Sequence, residues 1–516
     1  MSFYLKNIES AFDDIKFTYI LILVFFVLTL FNILHHVMWR DELEAWMIAR
    51  DASSLHGLVD NMRYQGHPML WHLILYPITK ITRNPVAMQM VHLVIATASV
   101  FVFLRFSPFN KLLKGLFVFG YFPFFEYATI SRNYAIGILF LFLFCAYFGK
   151  DFKNRNYIPL SIILFLMSQC NALSTVLAIA LAITLFTEPL LLKDFTFYRS
   201  WRFYTAIAIF MAGLALSIIQ MKPPADSSFY NPAIIARNVT GKLYDQISAL
   251  WNVFVPVPRV QMHFWNTNFL SYVPLKAEIR YALRLIFSVG LFVVSFFIIF
   301  RKKMPAFYYC IAVIGLTTFS YVLHEGTLRH KGHYYFAFIS ALWLSSYYPS
   351  EEYRMSRIFN LAERFKNTFL IVILSLSVTS ALIANTINGL YPFSANKETA
   401  NYIKQNGLQN MPIAGFWAAT TAGVTAYLNR PFYDPVQDKV TSFNVWKIAK
   451  NGKTDVFKNV MSYVDSVKTD VLFIVTEEPL PDGLVKVYEF IPLRSFTNSI
   501  VKDETFYLYR VRYETP

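Results

Sequence analysis

The sequence predicts a polytopic α-helical membrane protein of about eleven transmembrane helices, followed by a small C-terminal α/β domain outside the cytoplasm. Three observations carry this expectation: an apolar composition, apolar runs of bilayer-spanning length, and short basic clusters that alternate with poorer connections between those runs. Of the 516 residues, 56% are hydrophobic and 15% charged, Phe alone contributes 51, and the mean hydropathy is +0.41. Soluble globular chains carry more charge and fewer aromatic residues than this. The formal charge of +15 lies in clusters between apolar runs rather than along one stripe, as orientation signals do, so nucleic acid is excluded as a partner.

A helix that crosses the bilayer core needs about 20 apolar residues, fewer where neighbours shield its ends. By that ruler the spans lie near 17–38, 85–106, 112–127, 134–149, 157–170, 172–192, 203–220, 281–300, 304–323, 333–348 and 368–387. The positive-inside rule makes five connections cytoplasmic: those with Arg105, Lys111 and Lys114; with Lys150, Lys153 and Arg155; with Lys193, Arg199 and Arg202; with Arg301, Lys302 and Lys303; and with Arg354, Arg357, Arg364 and Lys366. The N-terminus, with Lys6 and Lys16, falls on the same side of the plasma (inner) membrane. The outer face then receives the first outer loop 39–84, the large loop 221–280, the short loops around Arg132 and Arg329, and everything after residue 387. "GHPMLWHLILYPITKI" (66–81) is too short and too interrupted for a span. With Pro68 in a first helical turn and Trp71 and Tyr76 at headgroup level, it reads as an interfacial helix. A span there would invert every later loop. "MSFYLKNIESAFDDIKF" lacks the apolar core and small-residue site of a cleaved signal peptide. Cys145, Cys170 and Cys310 sit in or beside apolar runs, with no spacing for a metal or a disulfide framework.

The chain thus divides into a membrane domain, 1–387, and a domain 388–516 whose helices alternate with strands. An amphipathic helix, a short apolar strand and a helix closed by Asn429 are expected first. A helix over 455–467 and strands over 470–477, 485–491 and 505–513 follow. This domain has no Gly-rich phosphate loop and no catalytic cluster.

The outer face concentrates the polar chemistry. In "MWRDELEAWMIAR" (38–50), Asp41, Glu42 and Glu44 follow the first span directly, and Asp41 and Glu44 share one helical face. Charged flanks commonly end spans, so solvated loop carboxylates are one reading. The interleaved Trp39, Leu43, Trp46 and Met47 point to another, an amphipathic helix whose carboxylates have raised pKa values and act as bases. His67 is either a structural hydrogen bonder or a partner of those acids. "EYATISRNYAIG" (126–137) places Arg132 and Tyr134 between two spans. Arg132 can snorkel or can hold a lipid phosphate. "HEGTLRHKGHYY" (324–335) gathers His324, Arg329, His330, Lys331 and His333 in a loop on the side where cations are disfavoured, which asks for an anion there and leaves Arg329 accessible.

"WRDELEAW", "GHPMLW" and "SRNYAIG", in that order, resemble the GT-C glycosyltransferases of the protein O-mannosyltransferase and lipid A aminoarabinose transferase type. That family has an acidic pair after the first helix, a His-Pro segment in the first outer loop and an Arg-bearing loop after the third helix. The resemblance covers the first ~190 residues in motif and the rest in topology. It implies an integral membrane glycosyltransferase that moves a sugar from a polyprenyl-phosphate donor to a glycan, lipid or protein acceptor at a periplasmic or extracytoplasmic site. It implies Asp41 as base or acceptor-orienting acid, Glu42 as its catalytic partner and Arg132 as a phosphate ligand. Independently, the departing lipid phosphate needs cations, which Arg132, Arg329 and His330 can supply, and the acceptor needs positioning. Glu44, His67, Tyr134 and His333 complete the expected substrate contacts. A divalent metal on Asp41, Glu42, Glu44 and His67 stays open, since no spacing demands one. Two other classes compete: an O-antigen polymerase or ligase with 221–280 as its catalytic loop, and a lipid or saccharide transporter or flippase. Nearly charge-free spans and the lack of a repeat count against transport.

Overall fold

A computed structural model describes residues 2–149, 155–191, 193, 195–228, 239–349, 357–448 and 455–514. Lys150, Lys153 and Arg354 of the basic clusters, and 229–238 of the large loop, lie outside the described residues. The chain opens with α1 (Ser2–His35), then three shorter helices, α2 (Arg40–Arg50), α3 (Leu55–Met62) and α4 (Leu70–Ile81). Next come α5 (Val86–Phe106), α6 (Lys111–Val118), a π-helical turn over Tyr121–Glu126, α7 (Tyr134–Phe148), α8 (Tyr157–Ser168), α9 (Ala172–Leu191) and α10 (Trp201–Met221). The large loop holds α11 (Val239–Ile247) and α12 (Ala249–Phe254). It leads into α13 (Ala277–Phe300), α14 (Lys303–Val322), α15 (Leu328–Ser345) and α16 (Arg357–Leu390).

Among the described residues, seven stretches are long and apolar enough to cross a membrane: Asp14–His35, Val86–Phe106, Ala172–Leu190, Trp201–Met221, Ala277–Phe300, Lys303–Val322 and Glu363–Leu390. They coincide with seven of the expected spans. The other four are shorter or broken. Tyr134–Phe148 and Tyr157–Ser168 are apolar but brief, and the expected span 112–127 divides into α6 and the π turn, whose residues are all buried. The fourth corrects an expectation. The stretch 324–335 is not a loop, because α15 starts at Leu328, with Thr327 as N-cap and His330 returning to the Thr327 backbone N–H at 2.9 Å. Its first turns are polar because they face a cavity, and its remaining turns are buried on all sides, which is why a hydropathy ruler starts the segment too late.

The C-terminal part comprises α17 (Asn396–Gln405), β1 (Ile413–Gly415), α18 (Ala418–Leu428), β2 (Phe432–Asp434), β3 (Lys439–Thr441), α19 (Val456–Val467), β4 (Val471–Thr476), α20 (Asp482–Val487), β5 (Ile491–Phe496) and β6 (Phe506–Val511). These strands form one mixed sheet in the order β3-β2-β1-β4-β6-β5, with β1 parallel to both β2 and β4. The expected strand 485–491 is corrected. Pro481 opens a helical turn, Glu489 takes a left-handed φ of 50°, and pairing with β6 begins only at Ile491. Asn429 closes α18 in the left-handed conformation, as its position in the sequence predicted.

One hydrophobic core joins one face of this sheet to the segment α2–α4. Leu472 and Ile474 of β4 pack with Leu43, Trp46 and Met47 of α2, Leu58 of α3 and Leu75 of α4, whereas Val471, Phe473 and Val475 face Val460 and Val464 of α19. Alternate residues of one strand therefore serve two cores, and β4 is buried along its whole length. Helix α18 packs on the helix that carries the acids and on β2 and β4, so it joins α2 to the C-terminal sheet.

Candidate active site

Helix α2 separates its three acids by their angular positions. Asp41, Glu44, Ala45 and Ile48, spaced i, i+3, i+4 and i+7, line a cavity of ≈ 880 Å³. Glu42 points the other way and is fully buried. Its Oε2 accepts from the Trp39 N–H at 3.1 Å and contacts His36 Nε2 at 2.9 Å; its Oε1 accepts from the Ser131 N–H at 2.6 Å. Glu42 thus caps α2 and anchors the 127–133 loop.

Seven of the nine residues expected at the site line this cavity: Asp41, Glu44, His67, Arg132, Tyr134, Arg329 and His330. Glu42 and His333 do not. His333 is wholly buried behind the cavity wall, its Nδ1 2.9 Å from the His330 carbonyl and 3.3 Å from the Tyr127 hydroxyl. Gly332 allows this wall to close, because a Cβ there would lie 2.7 Å from the Phe122 ring of the π turn and 2.8 Å from the Tyr127 hydroxyl. The same approach brings Arg329 over the site.

Asp41 is the hub. Arg329 Nη2 donates to its Oδ2 at 2.8 Å, Arg40 Nε lies 3.7 Å from Oδ1, and Arg132 Nη2 lies 4.0 Å from Oδ2 while its Nη1 bonds the Asp41 carbonyl. Burial alone would raise the pKa of Asp41, but Arg329, Arg132 and Arg40 outweigh it and hold the carboxyl below the ordinary carboxylate range. The expectation of a raised pKa is therefore corrected for Asp41. It holds for Glu44, which burial and the neighbouring Asp41 charge push up to about 8. His67, following Gly66 in the left-handed region at φ 64°, is pushed down to about 3 by burial and Arg132, so its imidazole is neutral.

Arg329 is only 9% exposed, which corrects the expectation of an accessible loop arginine. Its guanidinium sits 4.7 Å from the Trp39 ring and 5.5 Å from the Trp265 ring. The indole N–H of Trp265 in turn donates to Glu126 Oε2 at 3.2 Å. Arg329 Nε and Nη1 and Arg132 Nε are buried without hydrogen-bond partners, and such donors cost free energy until an acceptor arrives. Since Thr327 N–H donates to His330 Nδ1, the Nε2–H tautomer follows, and that N–H faces the Tyr134 hydroxyl at 2.9 Å. No three His, Cys, Asp or Glu side chains among the described residues are grouped to hold a metal ion.

No protein-family model and no curated protein matches this sequence. Solved structures do. ArnT from Cupriavidus metallidurans, a GT-C lipid A aminoarabinose transferase, matches in a crystal form bound to undecaprenyl phosphate with a TM-score of 0.51 and 10% identity, covering 97% of this chain and 99% of that one. Its apo form matches with a TM-score of 0.52 and 12% identity, covering 98% and 100%. The chain has the GT-C fold. At such identity the likeness carries the architecture alone, so the chemistry of this chain has to be read from its own cavity.

Sequence reasoning missed several lining residues. Arg40 stands inside the quoted motif but was passed over beside the acids. Lys222 ends α10, and Trp446 comes from the C-terminal part; neither had a motif to mark it. Trp265, which lies against Arg329, was separable from ordinary apolar packing only once the fold was known. The C-terminal part also reaches α2 directly: Glu504 Oε1 accepts from the Arg40 N–H at 2.8 Å, and Asp503 Oδ2 pairs with Arg40 Nη1 at 2.6 Å.

Proposed function

We propose that the protein is an integral membrane glycosyltransferase that transfers a sugar from a polyprenyl-phosphate donor to an acceptor at the extracytoplasmic face of the inner (plasma) membrane. The observation that carries this reading is the surplus of positive charge in the cavity. Arg40, Arg132, Lys222 and Arg329 line it with Asp41, the one acid there held below the ordinary carboxylate range. Three guanidinium nitrogens, Arg329 Nε and Nη1 and Arg132 Nε, are buried without a hydrogen-bond partner. A lipid phosphate supplies both the charge and the oxygens. The fold shared with a GT-C enzyme crystallised with undecaprenyl phosphate supports the same lipid class, and the basic clusters support the orientation.

In this reading Arg329 and Arg132 bind the donor phosphate and stabilise the negative charge that grows on it as the anomeric C–O bond breaks. Ionised Asp41 holds the two guanidiniums in place and faces the positive charge that builds on the sugar. Tyr134 and His330 fix the cavity wall beside the phosphate. The apolar part of the lining, including Ile218, Met221, Phe319 and Leu323, suits the first isoprene units.

The test is transfer by the purified full-length protein from a panel of polyprenyl-phospho-sugars, with binding of polyprenyl phosphate measured in parallel. Saturable binding that Arg329→Gln weakens at least tenfold is the expected result. A protein that binds no polyprenyl phosphate refutes the reading.

A further inference from the structure

The two cavity-facing carboxyls of α2 differ in what engages them. Both Asp41 oxygens lie within reach of guanidiniums. Glu44, one helical turn on, makes no ion pair among the described residues, and its Oε1 is buried without a hydrogen-bond partner while the side chain lines the cavity. An unpaired buried carboxyl oxygen is costly, and it persists most readily where a substrate group will meet it. The Gln65 side chain hydrogen-bonds the carboxyl and the cationic cluster lies beside it, yet Oε1 keeps no partner.

We infer that Glu44 is the group that takes the acceptor's proton, and that the acceptor is therefore a hydroxyl, of a saccharide or another alcohol, rather than a phosphate. The inference rests on the glycosyltransferase reading and adds its acceptor class. In the step, the acceptor oxygen forms a bond to the anomeric carbon as the bond from that carbon to the donor phosphate oxygen breaks. The electron pair leaves with the lipid phosphate, and the hydroxyl proton passes to the Glu44 carboxylate. A phosphate acceptor is already anionic at neutral pH and needs no base.

The environment agrees. The charged and titratable groups lining the cavity with Glu44 are Asp41 and Arg40 on its own helix, Arg132 just before and Tyr134 at the start of α7, His67 and His72 from α4 and its approach, and Lys222, His324, Arg329 and His330 across the cavity. Burial and Asp41 push its carboxyl up to about 8 against the pull of Arg132. A carboxylate of that pKa is a stronger base than an ordinary one and is ionised in about a tenth of molecules at pH 7. Asp41, held low by three arginines, is a poor base.

The experiment compares wild type, Glu44→Gln and Glu44→Asp as full-length protein in lipid nanodiscs. Saccharide-hydroxyl and saccharide-phosphate acceptors are offered with the donor panel. Released polyprenyl phosphate and glycosylated acceptor are counted from pH 6 to 9.5. For a hydroxyl acceptor we expect kcat/KM of wild type to rise with pH and level off above about 8. Glu44→Gln should lose about 10²–10⁴-fold, the usual scale for a general base, together with that pH limb. Polyprenyl-phosphate affinity should stay within a few-fold and so report that the fold is intact. Glu44→Asp should retain partial activity with a displaced limb, which keeps the test decisive should the Gln variant fold poorly. Transfer confined to phosphate acceptors, or Glu44→Gln within threefold of wild type with the limb unchanged, overturns the inference. Failure of wild type to bind any polyprenyl phosphate is a different result, and it overturns the glycosyltransferase reading on which the inference rests.

Discussion

Replacing Asp41 by Asn should move donor binding and transfer in opposite directions. The amide keeps the shape and one acceptor oxygen for Arg329 Nη2, now 2.8 Å from Oδ2, but removes the negative charge that faces Arg40 and Arg132 at 3.7 and 4.0 Å. At an effective dielectric of 20 a unit charge at 4 Å is worth about 4 kcal/mol. The side chain is 22% exposed, so solvent reduces that figure. A phosphate entering a cluster no longer compensated by Asp41 should gain about 1–3 kcal/mol, equivalent to roughly 5- to 150-fold tighter binding of polyprenyl phosphate. Transfer should nevertheless fall about 10²–10⁴-fold, because the guanidiniums lose their alignment and the sugar loses a facing anion. Asp41 also raises the pKa of Glu44 after burial does, so any residual activity should show its pH limb shifted downwards. Lipid-phosphate titration and single-turnover transfer on the same preparation check both arms. Weaker binding, or full activity, would show that Asp41 ends the first span as a flanking charge and that this electrostatic account is wrong.

Three further substitutions test the neighbouring assignments. Arg329→Lys keeps the charge but loses the planar fork and its stacking between Trp39 and Trp265, and should weaken polyprenyl-phosphate binding by about tenfold or more in a titration, with unfolding temperature little changed. Glu42→Gln should destabilise the fold by about 3–5 kcal/mol, read as a lower unfolding midpoint, since the pair with His36 is wholly buried and two backbone N–H groups depend on the same carboxylate; intact stability with lost turnover would instead make Glu42 part of the chemistry. Glu504 is pushed up to about 7 by burial. Its proton is held more tightly folded than unfolded, so its contribution to stability is full below about pH 4.5 and lost as pH rises through 7; Glu504→Gln should flatten that slope in thermal unfolding between pH 5 and 8.

The membrane fold was legible because it is written in composition and run length, and the seven long spans needed nothing more. What failed were segments whose surroundings override hydropathy. The residues of α15 from Leu328 onward are polar at one end because the cavity lies there, and the π turn at Tyr121–Glu126 keeps an apolar sequence while breaking the helix. In the C-terminal part, Val485 and Val487 alternate like a strand, yet Pro481 and the left-handed Glu489 set a helical turn there. At the candidate site, residue type and order singled out Asp41, Arg132 and Arg329. Orientation around α2 was harder, since Glu42 and Glu44 differ by two positions and no sequence rule says which face meets the cavity. Trp446 and Glu504 reach the site across more than 350 residues of chain, a distance over which periodicity carries no information.

The acids that crowd the end of the first span divide three requirements among them, and the division follows from helical geometry. A helix that starts at a membrane boundary leaves N–H groups without partners, and Glu42 at the third position answers them while fixing the loop that bears Arg132. The arginines that line the cavity, proposed to hold a phosphate, would repel one another when none is bound, and Asp41 supplies the counter-charge. Glu44, without an ion pair among the described residues, stays close to neutral at physiological pH. The requirements conflict if one residue must meet two of them, since a carboxylate tied to guanidiniums is a weak base and one tied to backbone amides cannot turn towards a substrate. Rotation of about 100° per residue puts Glu42 off the face that Asp41 and Glu44 share, and one turn separates those two. The C-terminal sheet then has a physical reason to sit where it does: Glu504 and Asp503 hold Arg40 at the first turn of α2, so that all three acids keep their bearings on a helix only eleven residues long.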